Sequence, residues 1–271
     1  MKYLQNLHTH SIFCDGKDAP EDLVNKALSL GFDTLGFSNH SYMFFSDYVI
    51  DSTDKYKLEI AALKEKYKDK INILCGMELD MYSKVDLTGY DYIIGSMHYF
   101  KIGDEYIAFD RNEAHVQRVI NEYFDGDGMK YAKRYYEEFS NLHSVTGAKI
   151  DIIGHFDIIT KHKETAGFFD TTSKEYKTYS IDTLRVLANK TDIFEMNTGA
   201  ISRKHRTTPY PDPFIIKEIN RLGKGIILSS DCHDKDYLDC NFNESIEILK
   251  ECGVGEVYIL TVDGFKPQAL Y

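Results

Sequence analysis

The chain has 271 residues, 43% of them hydrophobic, enough for one large core and normal for a single α/β barrel. Its net charge of −11 argues against non-specific binding to a nucleic-acid backbone, but not against a small phosphorylated ligand held through bound cations. No apolar run approaches the ~20 residues that cross a bilayer, and Met1-Lys2-Tyr3-Leu4-Gln5-Asn6 lacks the apolar core of an export signal. Cys14, Cys75, Cys232, Cys240 and Cys252 show no paired ligand spacing, so the chain reads as a cytoplasmic protein with reduced thiols.

Short apolar, β-branched runs alternate with longer helix-like segments, the pattern of βα units, and nothing splits the chain into separate domains. The first run, 4–8, leads into His8-Thr9-His10 and then Asp15. A helix follows, with Asp18 near its start, Pro20 in its first turn, an apolar stripe of Leu23, Val24, Ala27, Leu28 and Leu30, and Gly31 at its end. Run 34–38 delivers His40 and precedes a helix near 55–68; run 71–77 delivers Glu78. Run 92–96 delivers His98, with helices expected at 112–123 and 129–145. Run 150–154 delivers His155, and a helix spans 174–189. Run 193–196 ends in Glu195-Met196-Asn197-Thr198-Gly199, a polar tip without an obvious ligand, before a helix at 211–222. Run 225–229 delivers Asp231 and His233, followed by a helix at 243–252. The last run, 257–260, reads as an eighth strand or as an edge element.

Nine imidazole and carboxylate side chains thus follow successive strands: His8, His10, Asp15, His40, Glu78, His98, His155, Asp231 and His233. That donor set suits zinc, iron or manganese in hydrolytic sites. In His8-Thr9-His10 and Asp231-Cys232-His233 the period of two places both donors on one strand face. Residues so far apart meet only if strand ends are gathered, which a parallel α/β barrel does at its C-terminal face.

The motifs themselves, His8-Thr9-His10, Asp15-Gly16, Ser38-Asn39-His40, Gly76-Met77-Glu78, Gly95-Ser96-Met97-His98, Gly154-His155 and Ser230-Asp231-Cys232-His233, resemble those of the PHP (polymerase and histidinol phosphatase) family from residue 8 to residue 233. The length, the long insert after His98 and Gly154-His155-Phe156-Asp157 resemble its stand-alone histidinol-phosphate phosphatases. The resemblance implies a single-domain, distorted (β/α)7 barrel over 1–271, with three divalent metal ions at the strand C-termini. His8, His10, Glu78 and Asp231 would hold one ion; Glu78, His98 and His155 a second, with Glu78 bridging; Asp15, His40 and His233 the third. Many family members have histidine where this chain has Asp15, a harder ligand. Glu78, Asp231 and His233 would serve catalysis, with a metal-activated hydroxide attacking phosphorus. Three carboxylates against three divalent ions leave a charge of roughly +3 for a phosphate dianion.

In an acidic chain the basic cluster Arg203-Lys204-His205-Arg206 stands out. Arg203 is the leading candidate for a phosphate contact, with Lys161 and His205 as further ones. The implied reaction is hydrolysis of L-histidinol phosphate, a step of histidine synthesis; the alternatives are a phosphoesterase on another small ester or a nucleotide or DNA end, and a non-catalytic metal-binding protein. Neither a nucleic-acid partner nor a membrane is expected. His115, His143 and His162 read as surface residues, Asp125-Gly126-Asp127-Gly128 as a turn, and Tyr131, Tyr135 and Tyr136 as packing residues. Asp157 is a candidate for orienting a ligand or meeting a substrate amine.

Overall fold

The computed structural model of the chain describes residues 3–50 and 52–271. Strands β1 (Gln5–Asn6), β2 (Thr34–Phe37), β3 (Asn72–Asp80) and β4 (Tyr92–Ser96) come first, with helices α1 (Pro20–Leu30) and α2 (Thr53–Tyr67) joining the first three. A hairpin of β5 (Tyr99–Ile102) and β6 (Glu105–Ala108) follows, then α3 (Glu113–Tyr123), α4 (Gly128–Phe139) and α5 (Leu142–Thr146). Next come β7 (Ile152–Ile153), α6 (Lys174–Ala188), β8 (Ile193–Asn197), α7 (Gly199–Ser202), α8 (Pro213–Arg221), β9 (Gly225–Ser229) and α9 (Phe242–Glu251). A hairpin of β10 (Glu256–Thr261) and β11 (Gly264–Ala269) ends the chain. Helix boundaries follow local chemistry: Pro20 opens α1, Gly31 ends it at φ 76°, and Ser52, Asn112, Asp127 and Ser173 cap α2, α3, α4 and α6 with side-chain oxygens.

Seven strands pair in parallel in the order β1-β2-β3-β4-β7-β8-β9, a nearly closed single-domain barrel. Its seam lies between the first and last strands. At the C-terminal end of the barrel the seam is closed by main-chain bonds, His10 N–H to Cys232 O at 2.8 Å and Cys232 N–H to His8 O at 3.0 Å. At the other end the final hairpin fills the gap, with the Gln5 side-chain amide bonded to both the N–H and the carbonyl of Leu260. The run 257–260 is therefore an antiparallel hairpin strand outside the barrel sheet.

The barrel interior is layered because alternate residues face inward. Leu7, Tyr92, Ile94, Ile152, Ile193, Ile227 and Leu260 form one buried cluster in the lumen. Intervening residues such as Met77, Ile93, Phe194 and Leu228 join the larger cluster under the helices. Two residues beyond an inward apolar side chain comes a polar one: Ile193 gives way to Glu195, and Ile227 to Ser229, all fully or nearly fully buried. Tyr92 fills the lower lumen and donates its hydroxyl to the carbonyls of Leu7 and Phe37, space for its ring being left by Gly36 and Gly76.

The insert after His98 contains the β5–β6 hairpin, which the sequence reading did not resolve, and the expected helix at 129–145 is broken at Ser140 and Asn141 into α4 and α5. His162 is a correction: the insert covers it, its ring meets the Arg111 carbonyl at 2.6 Å, and it is 6% exposed rather than on the surface. His115 and His143 are half-buried. Asp127 caps α4 in the expected turn, and Tyr131, Tyr135 and Tyr136 are buried.

Adding a methyl group at residue 76 tests the lumen packing. A Cβ there would stand 2.2 Å from Tyr92 Cζ, and the anchored ring has little freedom to move. Gly76→Ala is expected to lower stability by about 1–3 kcal/mol, read as a lower urea midpoint at unchanged m-value.

Candidate metal centre

All nine donor side chains converge on the C-terminal mouth of the barrel. The chain beyond β1 carries His8 and His10 inward, both fully buried. Asn39 holds this segment in place: its side-chain oxygen accepts from the Ser11 N–H at 2.8 Å and from the Cys14 thiol at 3.0 Å. Gly16 lies so near the His10 main chain that a Cβ would stand 2.5 Å from its carbonyl carbon. Glu78 is 1% exposed and lies at the middle of the cluster. Its Oε2 is 3.5 Å from His8 Nε2, 3.6 Å from His10 Nε2 and 2.7 Å from His40 Nδ1. Its Oε1 is 2.8 Å from His155 Nε2 and 3.5 Å from His98 Nε2. Asp231 Oδ1 stands 3.2 Å from His10 Nε2 and 3.7 Å from His8 Nε2. Toward the opening, Asp15 Oδ1 is 3.2 Å from His233 Nε2 and 3.7 Å from His40 Nε2.

These spacings and one further observation fit cations. Donors about 2.0–2.2 Å from a tetrahedral ion are about 3.3–3.6 Å apart, close to the separations among His8, His10, Glu78 and Asp231. His8 Nε2, His10 Nε2 and Glu78 Oε2 are buried without a hydrogen bond of regular geometry, a condition that costs about 1–3 kcal/mol per group unless something else compensates. Four sets bring one donor atom each within 4.8 Å of one another: His10, Asp15, His40 and His233; His8, His155 and Asp231; His8, His10 and Glu78; and His40, Glu78 and His98. The sets overlap, so the cluster is continuous, and His10 and His40 each belong to two of them.

Outer residues fix the donors. Glu195, the acid within the apolar run of β8, was not read as part of the site. Its fully buried carboxylate meets His8 Nδ1 at 2.6 Å and accepts from the His155 main-chain N–H at 2.7 Å. It also accepts from Ser229 Oγ and, at 2.9 Å, from Asn197 Nδ2. The inward period of β8 is the signal that could have revealed it. Asp80, on the same face of β3 as Glu78, lies 3.3 Å from His98 Nδ1 and accepts from the His98 main-chain N–H at 3.0 Å. Such partners orient a ligating ring and select its tautomer.

Arg203 lines the cavity and is about a third exposed at its side chain, but it does not stand free. It donates through Nη2 to Asp231 Oδ2 at 2.8 Å and lies 2.9 Å from His233 Nδ1. Gly199 makes room for this pair, since a Cβ there would come within 2.8 Å of both Arg203 Nη2 and Asp231 Oδ2. Lys161 lines the same cavity of about 190 Å3. His205 does not line it. Left-handed Lys204, φ 60°, turns the chain so that the His205 ring faces His162. Burial, then the charges of Lys161, His162 and Arg203, lower the His205 pKa to about 4, so it is neutral at pH 7 and supplies no cation for phosphate. Arg206 is buried, bonded to Thr160 and Asp212 and stacked 4.5 Å from the Tyr210 ring centroid. Asp157 is also buried there, accepting from the Asp212 N–H, and burial together with Asp212 raises its pKa to about 7; it reaches neither the donor cluster nor its cavity. A larger cavity of about 540 Å3, lined by Tyr42, Phe44, Tyr82 and Arg134 among others, includes none of the nine donors.

Electrostatics divide the histidines. Burial followed by the charges of His233 and His40 lowers the His10 pKa to about 3, leaving a neutral ring. Burial also works to discharge His98, but Glu78 and Asp80 outweigh it and raise the pKa to about 9. For His8 burial is outweighed by Glu195, Asp231 and Glu78, and for His40 by Glu78 and Asp15, so both pKa values are raised. Glu78 and Asp231 lie well below the carboxylate range despite burial: the histidines hold Glu78 down, and Arg203 then His8 hold Asp231 down.

A parallel α/β barrel with a continuous cluster of nitrogen and oxygen donors at its strand C-termini defines a class of metal-binding barrel protein. Within that class the chain belongs to the PHP domain family, whose model matches residues 6–199. It is similar to the histidinol-phosphatase of Lactococcus lactis subsp. lactis, 26% identical over 283 residues covering 96% of this chain and 94% of that protein. The histidinol-phosphatase of Bacillus subtilis is 20% identical over 249 residues, 83% of this chain and 92% of that one. The crystal structure of the L. lactis histidinol phosphate phosphatase, complexed with Zn, L-histidinol and phosphate, aligns with a TM-score of 0.75 at 22% identity, covering 97% of this chain and 98% of that one. That likeness is one of fold. Asp231 and His233 lie beyond the matched family segment and enter the cluster through geometry alone.

Two outcomes are expected. Glu195→Ala should weaken metal retention about ten- to a hundredfold in chelator competition, with the fold intact by circular dichroism. A bound ion requires neutral rings, whereas His8, His40 and His98 favour protons in its absence; metal uptake therefore releases protons, and apparent affinity should rise with pH from 6 toward 9. Calorimetry in buffers of different ionisation enthalpy reads the protons directly.

Proposed function

We propose that the chain, over 1–271, is one metal-dependent phosphomonoesterase unit that hydrolyses L-histidinol phosphate to L-histidinol and phosphate. The observation that carries this reading is the convergence of eight further donors around buried Glu78, with Arg203 and Lys161 in the wall of the same cavity. The relatives that carry the histidinol-phosphatase name match along nearly their whole length, which supports the choice of substrate.

In this reading His8, His10, Glu78 and Asp231 hold one ion, Glu78, His98 and His155 a second, and Asp15, His40 and His233 a third, with zinc, iron or manganese suited to these donors. Divalent ions in such a site withdraw charge from phosphoryl oxygens and lower the pKa of water toward neutrality. The chain's own residues supply the rest. Glu195 and Asp80 hold the rings of His8 and His98. Arg203 keeps Asp231 ionised and in place, and its remaining N–H groups are available to an anion in the cavity. Lys161, with one bond spent on the Asp110 carbonyl, brings a second cation to the same wall. These fixed charges favour the phosphoryl group as negative charge develops on its oxygens. Among the described residues no helix is long and apolar enough to cross a membrane.

The test is phosphate release from L-histidinol phosphate beside p-nitrophenyl phosphate, with and without a chelator. The expected result is a chelator-sensitive kcat/KM at least about a hundredfold higher on histidinol phosphate, equivalent to about 2.7 kcal/mol of discrimination. Equal, weak rates on both esters would remove the histidinol assignment, and insensitivity to chelator would remove the metal-dependent one.

A further inference from the structure

The cavity of about 540 Å3 that holds none of the nine donors has no part in the chemistry above. Four of its lining residues are aromatic: Tyr42, Phe44, Tyr82 and Tyr106. Phe45 stacks on Tyr106, centroids 3.9 Å apart, which anchors the loop that carries Phe44. Phe44 itself meets Tyr106 only edge-on at 5.7 Å and is 77% exposed, and Tyr42 is 48% exposed. Large rings left to water beside a concave volume of this size mark a place where an apolar ligand gains by burial.

Charge narrows the ligand further. Lys84, Lys101 and Arg134 line the cavity against one carboxylate, Glu138. That carboxylate is buried and already satisfied. It accepts from the Tyr82 hydroxyl, from Arg134 Nε and, at 2.8 Å, from the Lys101 main-chain N–H. Arg134 therefore offsets Glu138, and the two lysine charges remain. Lys84 Nζ donates to the Val145 carbonyl, a neutral acceptor, and Lys101 Nζ lies 5.6 Å from the Tyr106 ring centroid. Among the described residues neither ammonium group pairs with a carboxylate, in a chain whose net charge is −11. Two uncompensated cations beside aromatic walls suit one ligand chemistry. The rings take a planar apolar body, and the ammonium groups take an acidic substituent on it.

We propose that this cavity is an accessory binding site for small planar organic anions, separate from the metal centre. It uses no metal donor, so it stands whether or not the phosphatase reading does. Lys84 and Lys101 are both exposed, and their substitution tests the site without opening the core.

The probe is 1-anilinonaphthalene-8-sulfonate, whose emission rises in apolar surroundings, beside N-phenyl-1-naphthylamine, the same body without the charge. Each is titrated into metal-loaded protein in saturating inorganic phosphate, which occupies the cavity of the metal centre. The expected result is one saturable site per chain for the sulfonate dye, with the neutral dye at least about tenfold weaker. Lys84→Glu combined with Lys101→Glu should weaken the sulfonate dye at least about tenfold, and Lys84→Arg with Lys101→Arg should keep it within about threefold of wild type. The same change of net charge placed elsewhere, Lys217→Glu with Lys266→Glu, should also leave it within about threefold. Absence of saturable binding, equal binding of the two dyes, or equal losses in the two glutamate pairs overturns the assignment. Loss of binding in the arginine pair overturns it as well, since the charge is then not what the site reads.

Discussion

The site depends on the burial of one carboxylate. Glu78 is almost completely withdrawn from water, and an isolated ionised group in that position would cost several kcal/mol. The fold compensates by surrounding its two oxygens with five imidazoles: His8, His10 and His40 on one side, His98 and His155 on the other. Those rings come from the ends of four strands, so the charge is tolerable only when the strands share a direction and a register. Burial first, and then the neighbouring His233 and His40, oppose protonation of His10, while the carboxylates draw protons onto His8, His40 and His98. Divalent ions relieve both conflicts at once, since they favour ionised carboxylates and neutral imidazoles together.

The barrel prepares this arrangement below the donor layer. Inward residues run from apolar side chains at the bottom, through Tyr92 and the isoleucines, to Glu195 and Ser229, and then to the donors. Glu195 belongs to the core and to the site: one oxygen faces His8 while the other fixes the main chain at His155. A change at Glu195 therefore acts on two parts of the cluster that are far apart in sequence.

Much of this architecture was legible in the residues. His8 and His10 are separated by one strand repeat, and each later donor follows an apolar run, so the parallel frame and the gathering of its ends could be read from period and order, while the count of seven strands came with the family resemblance and the last run stayed open. Apart from Glu195, whose place the period of β8 carries, what escaped depends on contacts rather than period. The β5–β6 hairpin has strands of four residues without clear alternation, and the place of the insert beside His98 appears only once it is folded. The basic cluster at 203–206 read as one feature, yet the left-handed turn at Lys204 divides it. Arg203 goes to Asp231, Arg206 to the buried Asp212, and His205 to His162. Charge in a sequence has no direction until the backbone assigns one.

The barrel seam imposes an order on assembly. Its upper closure joins His8 and His10 to Cys232, and Asn6 bonds Ser230, contacts that span more than two hundred residues. A chain still being synthesised, not yet extended to Asp231, already carries seven of the nine donors but has no partner strand to close the ring. Ion capture by the complete set is thus coupled to the last long-range pairing, and a fully loaded centre marks a chain whose two ends have met.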